Sequence, residues 1–205
     1  MDEMLDEEKA ELFELYNSAL KIVLTKIEIL DSNYKFISGP NPIEHIKSRV
    51  KSINSLLDKL KRKNVEISME SIKEKIEDIA GIRVICSFEN DVYKIAEFIK
   101  KQEDVTFVRE KDYIASPKPN GYRSYHMIIK VPVYLVDRVE LVKVEVQIRT
   151  DAMDFWASLE HKARYKYNGD VPEHLIKELK ICAEKIHDLD GRMYLISDII
   201  HLINS

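Results

Sequence analysis

Residues 118–126 read Lys-Pro-Asn-Gly-Tyr-Arg-Ser-Tyr-His, and they constrain the fold more than any other stretch of the chain. Pro119 fixes its own φ and Asn120-Gly121 tolerates positive φ, so Lys118 to Gly121 is turn chemistry. Tyr122 to His126 then alternates in character and runs into Met127-Ile128-Ile129-Lys130-Val131, a strand pattern. A tight loop therefore feeds a strand and carries at its mouth a cation, an aromatic and a second cation: Lys118, Tyr122 and Arg123. Such a set suits a nucleotide, with the ring stacked on a base and the cations on phosphate. It equally suits a plain hairpin whose tyrosine packs in the core, and from the loop alone the two readings stand level.

Glycine narrows the choice. The five glycines, Gly39, Gly81, Gly121, Gly169 and Gly191, are far apart. A phosphate-binding P-loop or a dinucleotide fingerprint needs two or three within one turn, so both are excluded. If this chain binds nucleotide, side chains hold the phosphates.

The rest of the pattern predicts an α+β chain of 205 residues in one domain. A long helix is expected over 5–34, with Leu12, Tyr16, Ala19, Val23, Ile27 and Leu30 as its apolar stripe. Asn41-Pro42 looks like an N-cap and first helical residue, which predicts a second helix over 43–63 carrying Arg49, Lys51 and Lys59. Lys61 and Lys63 read as cations at that helix's C-terminus. A short helix over 68–76 leads to Asp78, and strands follow at 82–87, 105–113, 124–133 and 138–148. An amphipathic helix over 91–101 separates the first two of these. The helix over 150–166 is expected to turn Phe155, Trp156, Leu159 and Ala163 inward. The last helix, over 171–203, places Leu175, Leu179, Cys182, Ile186, Leu189, Met193, Ile196, Ile200 and Ile203 at alternating spacings of four and three, a heptad seam. With an N-terminal helix of similar length, that seam suggests helix packing between subunits.

Charge and cysteine bound the partners. A net charge of −4 argues against a broad DNA- or RNA-binding face, though not against a local basic cleft. Cys86 and Cys182 are far apart with no metal spacing, and Met1 to Glu8 is acidic rather than signal-like, so a reducing cytoplasm and no membrane span are the expectation.

Two further stretches join the loop: Asp78-Ile79-Ala80-Gly81-Ile82-Arg83, and Glu145-Val146-Gln147-Ile148-Arg149-Thr150. With them, and with the run from Ala152 to His161, the chain resembles the synthetase domain of the RelA/SpoT family, above all its short members, the small alarmone synthetases. Four co-linear blocks are far more specific than any one. The resemblance implies a mixed sheet of about five strands flanked by helices, nucleotidyltransferase-like, with a catalytic core over about 42–168 and long terminal helices. It implies transfer of pyrophosphate from ATP to the 3′-hydroxyl of GDP or GTP, with Mg²⁺. Asp78 and Glu145 match the family's metal-binding and catalytic acids; singly, each would read as a surface acid at a strand end. Arg49 and Arg83 match a pair that stacks on adenine, and Lys51, Lys59, Lys111 and Lys118 are the ATP-phosphate candidates. Family members often carry Arg where Lys111 stands. On the acceptor side the resemblance points to Asn120, Gly121, Tyr122, Arg123, His126, Gln147, His161 and Lys166, with Tyr122 stacking on guanine. It also implies a homo-oligomer, a tetramer, with (p)ppGpp or single-stranded RNA as candidate allosteric ligands.

Two rivals remain beside the synthetase: a non-catalytic guanine-nucleotide or single-stranded RNA sensor, which needs neither acid, and a nucleotidyltransferase, which usually pairs its acids on one strand. His187-Asp188 spells the dipeptide of metal-dependent alarmone hydrolases, but those draw further ligands from a separate helical domain. His187 reads as a helix surface residue, and hydrolase activity is not expected.

Overall fold

The computed structural model describes residues 6–38, 41–64, 67–165 and 172–203. Its elements run α1 (Asp6–Ser38), β1 (Ile43–Val50), α2 (Ile53–Lys63), α3 (Met69–Lys75), β2 (Ala80–Cys86), α4 (Glu89–Lys100), β3 (Thr106–Asp112), β4 (Tyr125–Tyr134), β5 (Val139–Thr150), α5 (Asp151–Tyr165) and α6 (Glu173–Ile203). The strands form one mixed sheet in the order β1-β2-β5-β4-β3, with β2 and β5 parallel and every other pair antiparallel.

One face of the sheet is the core. Ile82, Val84, Val144, Val146, Ile148, Met127, Ile129 and Val131 alternate along their strands, and all are fully or nearly fully buried. Against them lie α1, through Leu12, Leu15, Tyr16, Ala19, Leu20, Val23 and Ile27, and α4, through Val92, Ile95, Ala96 and Ile99. The long first helix, the buried Cys86 and the α+β sheet are as the pattern predicts.

Two expectations are corrected. The predicted helix over 43–63 is a strand followed by a helix. Ile43–Val50 pairs antiparallel with β2 and covers its otherwise bare edge, and Ser52, not Asn41, caps the helix that follows. An edge strand with one buried residue carries little alternation, and tertiary pairing overrides the local pattern. The Asn41 side chain instead donates to Asp31. In α5 only Trp156 of the four predicted inward residues is buried; Phe155, Leu159 and Ala163 are exposed. In α6 the face against the domain is Leu179, Ala183, Ile186 and Asp190, so the heptad seam lies largely outside it, with Leu189, Met193, Ile196 and Ile200 all more than half exposed.

The docking of α6 explains Gly121. Its φ is +91°, and a Cβ there would stand 2.5 Å from the Cβ of Ala183. Trp156 adds a hydrogen bond from Nε1 to the Leu179 carbonyl (3.0 Å), and Thr150 donates to Asp190 (2.6 Å). Gly121→Ala is therefore expected to cost about 1–3 kcal/mol through strain alone. Gly191→Ala, mid-helix with open space around its Cα, is expected to stabilise by up to about 1 kcal/mol. Thermal melting of the two variants should move in opposite directions from the parent.

Candidate functional site

The other face of the sheet holds the site, and strand register assembles it. Arg49 on β1 pairs with Gly81 on β2, Gly81 with Glu145 on β5, Glu145 with Ile128 on β4, and Ile128 with Arg109 on β3. One step along, Lys47 pairs with Arg83, Arg83 with Gln147, Gln147 with His126, and His126 with Lys111. Directly paired residues share a face, so two rows of side chains cross the five strands, polar except at Gly81 and Ile128 of the first row. Gly81 is the gap in the first row. Its missing side chain leaves a cleft of about 630 Å³ lined by Arg49, Asp78, Arg83, Glu145 and Gln147, among others. This cleft opens toward α5 into a trough of about 1340 Å³, where Lys118, Asn120, Tyr122, His126 and His161 join Arg49 and Arg83. Toward β3 lies a pocket of about 570 Å³ with Arg109, Lys111, Lys118, His126 and Glu145.

Both candidate acids face the cleft. Asp78 precedes β2, and Lys51 and Lys59 lie 2.6 Å and 2.7 Å from its two oxygens. Burial would raise the Asp78 carboxyl, but the two ammoniums outweigh it and hold the group below the usual carboxylate range. Glu145 sits in the interior of β5, not at a strand end as expected. Gly81 beside it is what exposes it. His126 Nδ1 lies 3.4 Å from Oε1, and Gln147 donates to Oε2 at 3.1 Å. Burial again raises this carboxyl, and His126 and Gln147 together bring it below the ordinary value. Two hard oxygen donors in one cleft fit a Mg²⁺ that takes its remaining ligands from phosphate and water.

The loop at 118–122 is the predicted turn. Gly121 N–H donates to the Lys118 carbonyl (2.8 Å), Lys118 N–H to the Tyr122 carbonyl (3.1 Å), and Asn120 Oδ1 accepts from the Tyr122 amide (3.2 Å). The Lys118 ammonium lies 4.7 Å from the centroids of both Tyr113 and Tyr122. Tyr122 Oη lies 2.9 Å from His126 Nε2. Burial pushes the Tyr122 hydroxyl up, with the charge of Arg149 in part offsetting it.

Of the residues singled out from the sequence, Asp78, Glu145, Arg49, Arg83, Lys111, Lys118, Asn120, Tyr122, His126, Gln147 and His161 line this continuous set of cavities. Lys51 and Lys59 join it through Asp78. Gly121 and Arg123 do not. Gly121 packs under α6, and the Arg123 guanidinium donates to the Ile114 carbonyl (2.7 Å) and lines the seam beneath that helix. Lys166 lies outside the described residues. His187 is not a plain surface residue: it is partly buried between α6 and α4, with Nδ1 3.6 Å from Glu89.

Two residues enter that the sequence reading did not single out. Arg149 is only 2% exposed and bonds Tyr122, Gln147 and Asp154. Asp154, in the first turn of α5, accepts from both Arg83 and Arg149 at 3.3 Å. Arg149 was within reach, because it continues the alternation Glu145, Gln147, Arg149 on one face. Asp154 carries no such signal, since only the strand-to-helix turn brings it under two arginines.

A model described as the region found in RelA/SpoT proteins matches residues 48–170, more than half of the chain. The chain belongs to the RelA/SpoT family. It is 54% identical over 190 residues to the GTP pyrophosphokinase YwaC of Bacillus subtilis, covering 93% of this chain and 90% of that one. Identity to the GTP pyrophosphokinase YjbM of the same organism is 38%, over 87% of this chain and 83% of the other. Among solved structures, small alarmone synthetase 2 from Bacillus subtilis matches with a TM-score of 0.83 at 53% identity, covering 93% of this chain and 97% of that one. Small alarmone synthetase 1 from the same organism, bound to its product pppGpp, matches with 0.85 at 35%, over 95% and 99%. The α+β, nucleotidyltransferase-like fold of these synthetases is the fold of this family member. No described helix is long and apolar enough to cross a membrane.

Proposed function

We propose that the chain is a GTP pyrophosphokinase. It transfers the pyrophosphoryl group of ATP to the 3′-hydroxyl of GDP or GTP and releases AMP. The observation that carries this reading is the register that sets Glu145 beside the Gly81 gap, with Arg49 and Arg83 on one side and Tyr122 and His126 on the other. The names of the relatives and the product-bound neighbour support it.

The residues divide by chemistry. Arg49 and Arg83 grip adenine from its two faces, since guanidinium planes stack on π systems and keep their charge. Lys51, Lys59, Lys111 and Lys118 take the place of a glycine cradle for the phosphates. Tyr122 stacks on guanine, while Asn120, His126, Gln147 and His161 border the acceptor. Catalysis of this kind is mostly alignment and charge neutralisation. The 3′-oxygen attacks the β-phosphorus, the bond from that phosphorus to the α-phosphate oxygen breaks, AMP leaves with the bridging oxygen, and the hydroxyl proton passes to Glu145 or to solvent. Asp78 and Glu145 would hold Mg²⁺, which supplies neutralisation of the phosphate oxygens. A carboxylate about 4 Å from a phosphate charge costs roughly 4 kcal/mol at an effective dielectric near 20, and a cation held between these acids and the phosphates would offset that repulsion.

Incubation with ATP and GDP should give AMP and a guanosine tetraphosphate on thin-layer separation. In the same assay Tyr122→Ala should raise the acceptor KM roughly ten- to hundredfold, for a stacked base worth about 1–3 kcal/mol, and leave the ATP KM near the parental value. Pyrophosphate release instead of AMP would overturn the reaction, and an unchanged acceptor KM would remove Tyr122 from the guanine site.

The exposed apolar seam of α6, with Phe36 and Ile37 exposed on α1, also supports self-association, with four copies as in the family resemblance. Light scattering at micromolar concentration should report an oligomer, and Ile196→Asp should reduce its mass. A monomeric parent would end this reading.

A further inference from the structure

We propose that Arg149 is a positioning residue that fixes the direction of two polar arms reaching the two oxygens of Glu145, one by hydrogen bonds through Gln147 and one through Tyr122 and His126, whose last step is a 3.4 Å His126–Glu145 contact. The geometry needs no assumption about activity; its consequence for turnover rests on the reading of Glu145 given above.

Both arms start at the same nitrogen. Arg149 Nη2 lies 2.9 Å from Tyr122 Oη and 3.0 Å from Gln147 Oε1. Guanidinium only donates, so both partners accept. In the shorter arm the Gln147 amide is thereby oriented, with its oxygen toward Arg149 and its nitrogen toward Glu145, where Nε2 donates to Oε2 at 3.1 Å. In the longer arm Tyr122 Oη lies 2.9 Å from His126 Nε2, and His126 Nδ1 lies 3.4 Å from Glu145 Oε1. An ionised carboxylate only accepts. A chain that starts on a group that only donates and ends on one that only accepts has a single favourable direction. Arg149 donates to Tyr122, Tyr122 donates to Nε2, and neutral His126 carries its proton on Nδ1 and donates to Glu145. The opposite tautomer would face a bare Nδ1 lone pair to a carboxylate oxygen.

The arrangement gives Arg149 a task beyond anchoring α5 through Asp154. One buried charge, out of reach of solvent, sets a donor on each oxygen of the acid and holds it as a carboxylate in one orientation. The remaining lone pairs are left to the cleft. The tyrosine proposed to seat guanine is also tied to the acid beside the reacting hydroxyl, and the tie runs through its hydroxyl, not its ring. Outer partners of this kind orient the group that acts.

The test reads the tautomer directly. Protein labelled with ¹⁵N-histidine, without nucleotide or metal and at a pH where imidazole is neutral, gives the two ring nitrogens of His126 by long-range proton–nitrogen correlation. The parent should show Nδ1–H. Glu145→Leu removes the accepting end but leaves Arg149 and Tyr122, so Nδ1–H should persist. Adding Tyr122→Phe removes the other end, and the ring should revert toward Nε2–H. An Nε2–H parent overturns the proposal, and so does a Glu145→Leu variant already as mixed as the double variant. Arg149 itself is left in place, because its loss would strand Asp154. Kinetics supply a second readout: Tyr122→Phe keeps the ring and should lower kcat about tenfold or more with the acceptor KM little changed. A parental kcat would show that the arm does not reach the chemistry. Absence of any product from the parent would instead defeat the functional reading, and the tautomer would still decide this one.

Discussion

The parallel pairing of β2 with β5 sets Gly81 directly beside Glu145, and the rest of the site is positioned from that contact. Side chains alternate across a strand, so a slip of one residue in β5 would turn Glu145 into the core beside Ile82 and put Val146 in the cleft. The core face excludes that slip, because α1 and α4 cover every second residue of the three central strands, β2, β5 and β4. Packing on one face thus fixes chemistry on the other. The glycine then makes the row discontinuous, and the discontinuity is the cleft.

Charge is managed without any backbone cradle. Asp78 is held between two lysines, Glu145 between His126 and Gln147, and Asp154 beneath two arginines. Each carboxylate facing the trough has donors already in place. The cations therefore serve twice in this account, compensating the acids in the ligand-free chain and meeting phosphate when nucleotide enters.

The sequence made much of this legible where local periodicity and structure agree. Alternation along 124–133 and 138–148 gave β4 and β5, the Asn120-Gly121 turn gave the loop, and Glu145 with Gln147 declared a shared face. What it hid is tertiary. Ile43–Val50 looks helical because an edge strand over a half-open face has little to bury, and only β2 makes it a strand. Gly121 and Arg123 stand within the most informative motif, yet they support α6 and the Ile114 carbonyl; motif membership does not say which side of a loop a side chain serves. Glu145 reads as a strand-end acid, because nothing local announces that its neighbour on β2, with β3 and β4 between them in sequence, is a glycine. The heptad seam of α6 is legible as a stripe, but whether it faces the domain depends on Ala183 meeting Gly121.

In the proposed function the Gly81 gap, not a phosphate loop, admits the nucleotide. A Cβ at Gly81 would meet only the Arg49 carbonyl oxygen at 3.9 Å, an ordinary contact, so the backbone there accepts a side chain, which would project into the cleft. The direct measurement is calorimetric titration of ATP with Mg²⁺ into Gly81→Val, alongside its thermal melt. Valine suits a strand, so the melting temperature should hold or rise. ATP affinity should fall about tenfold or more, a loss of about 1.4 kcal/mol or more. A Gly81→Val protein that melts like the parent and binds ATP like the parent would contradict the account.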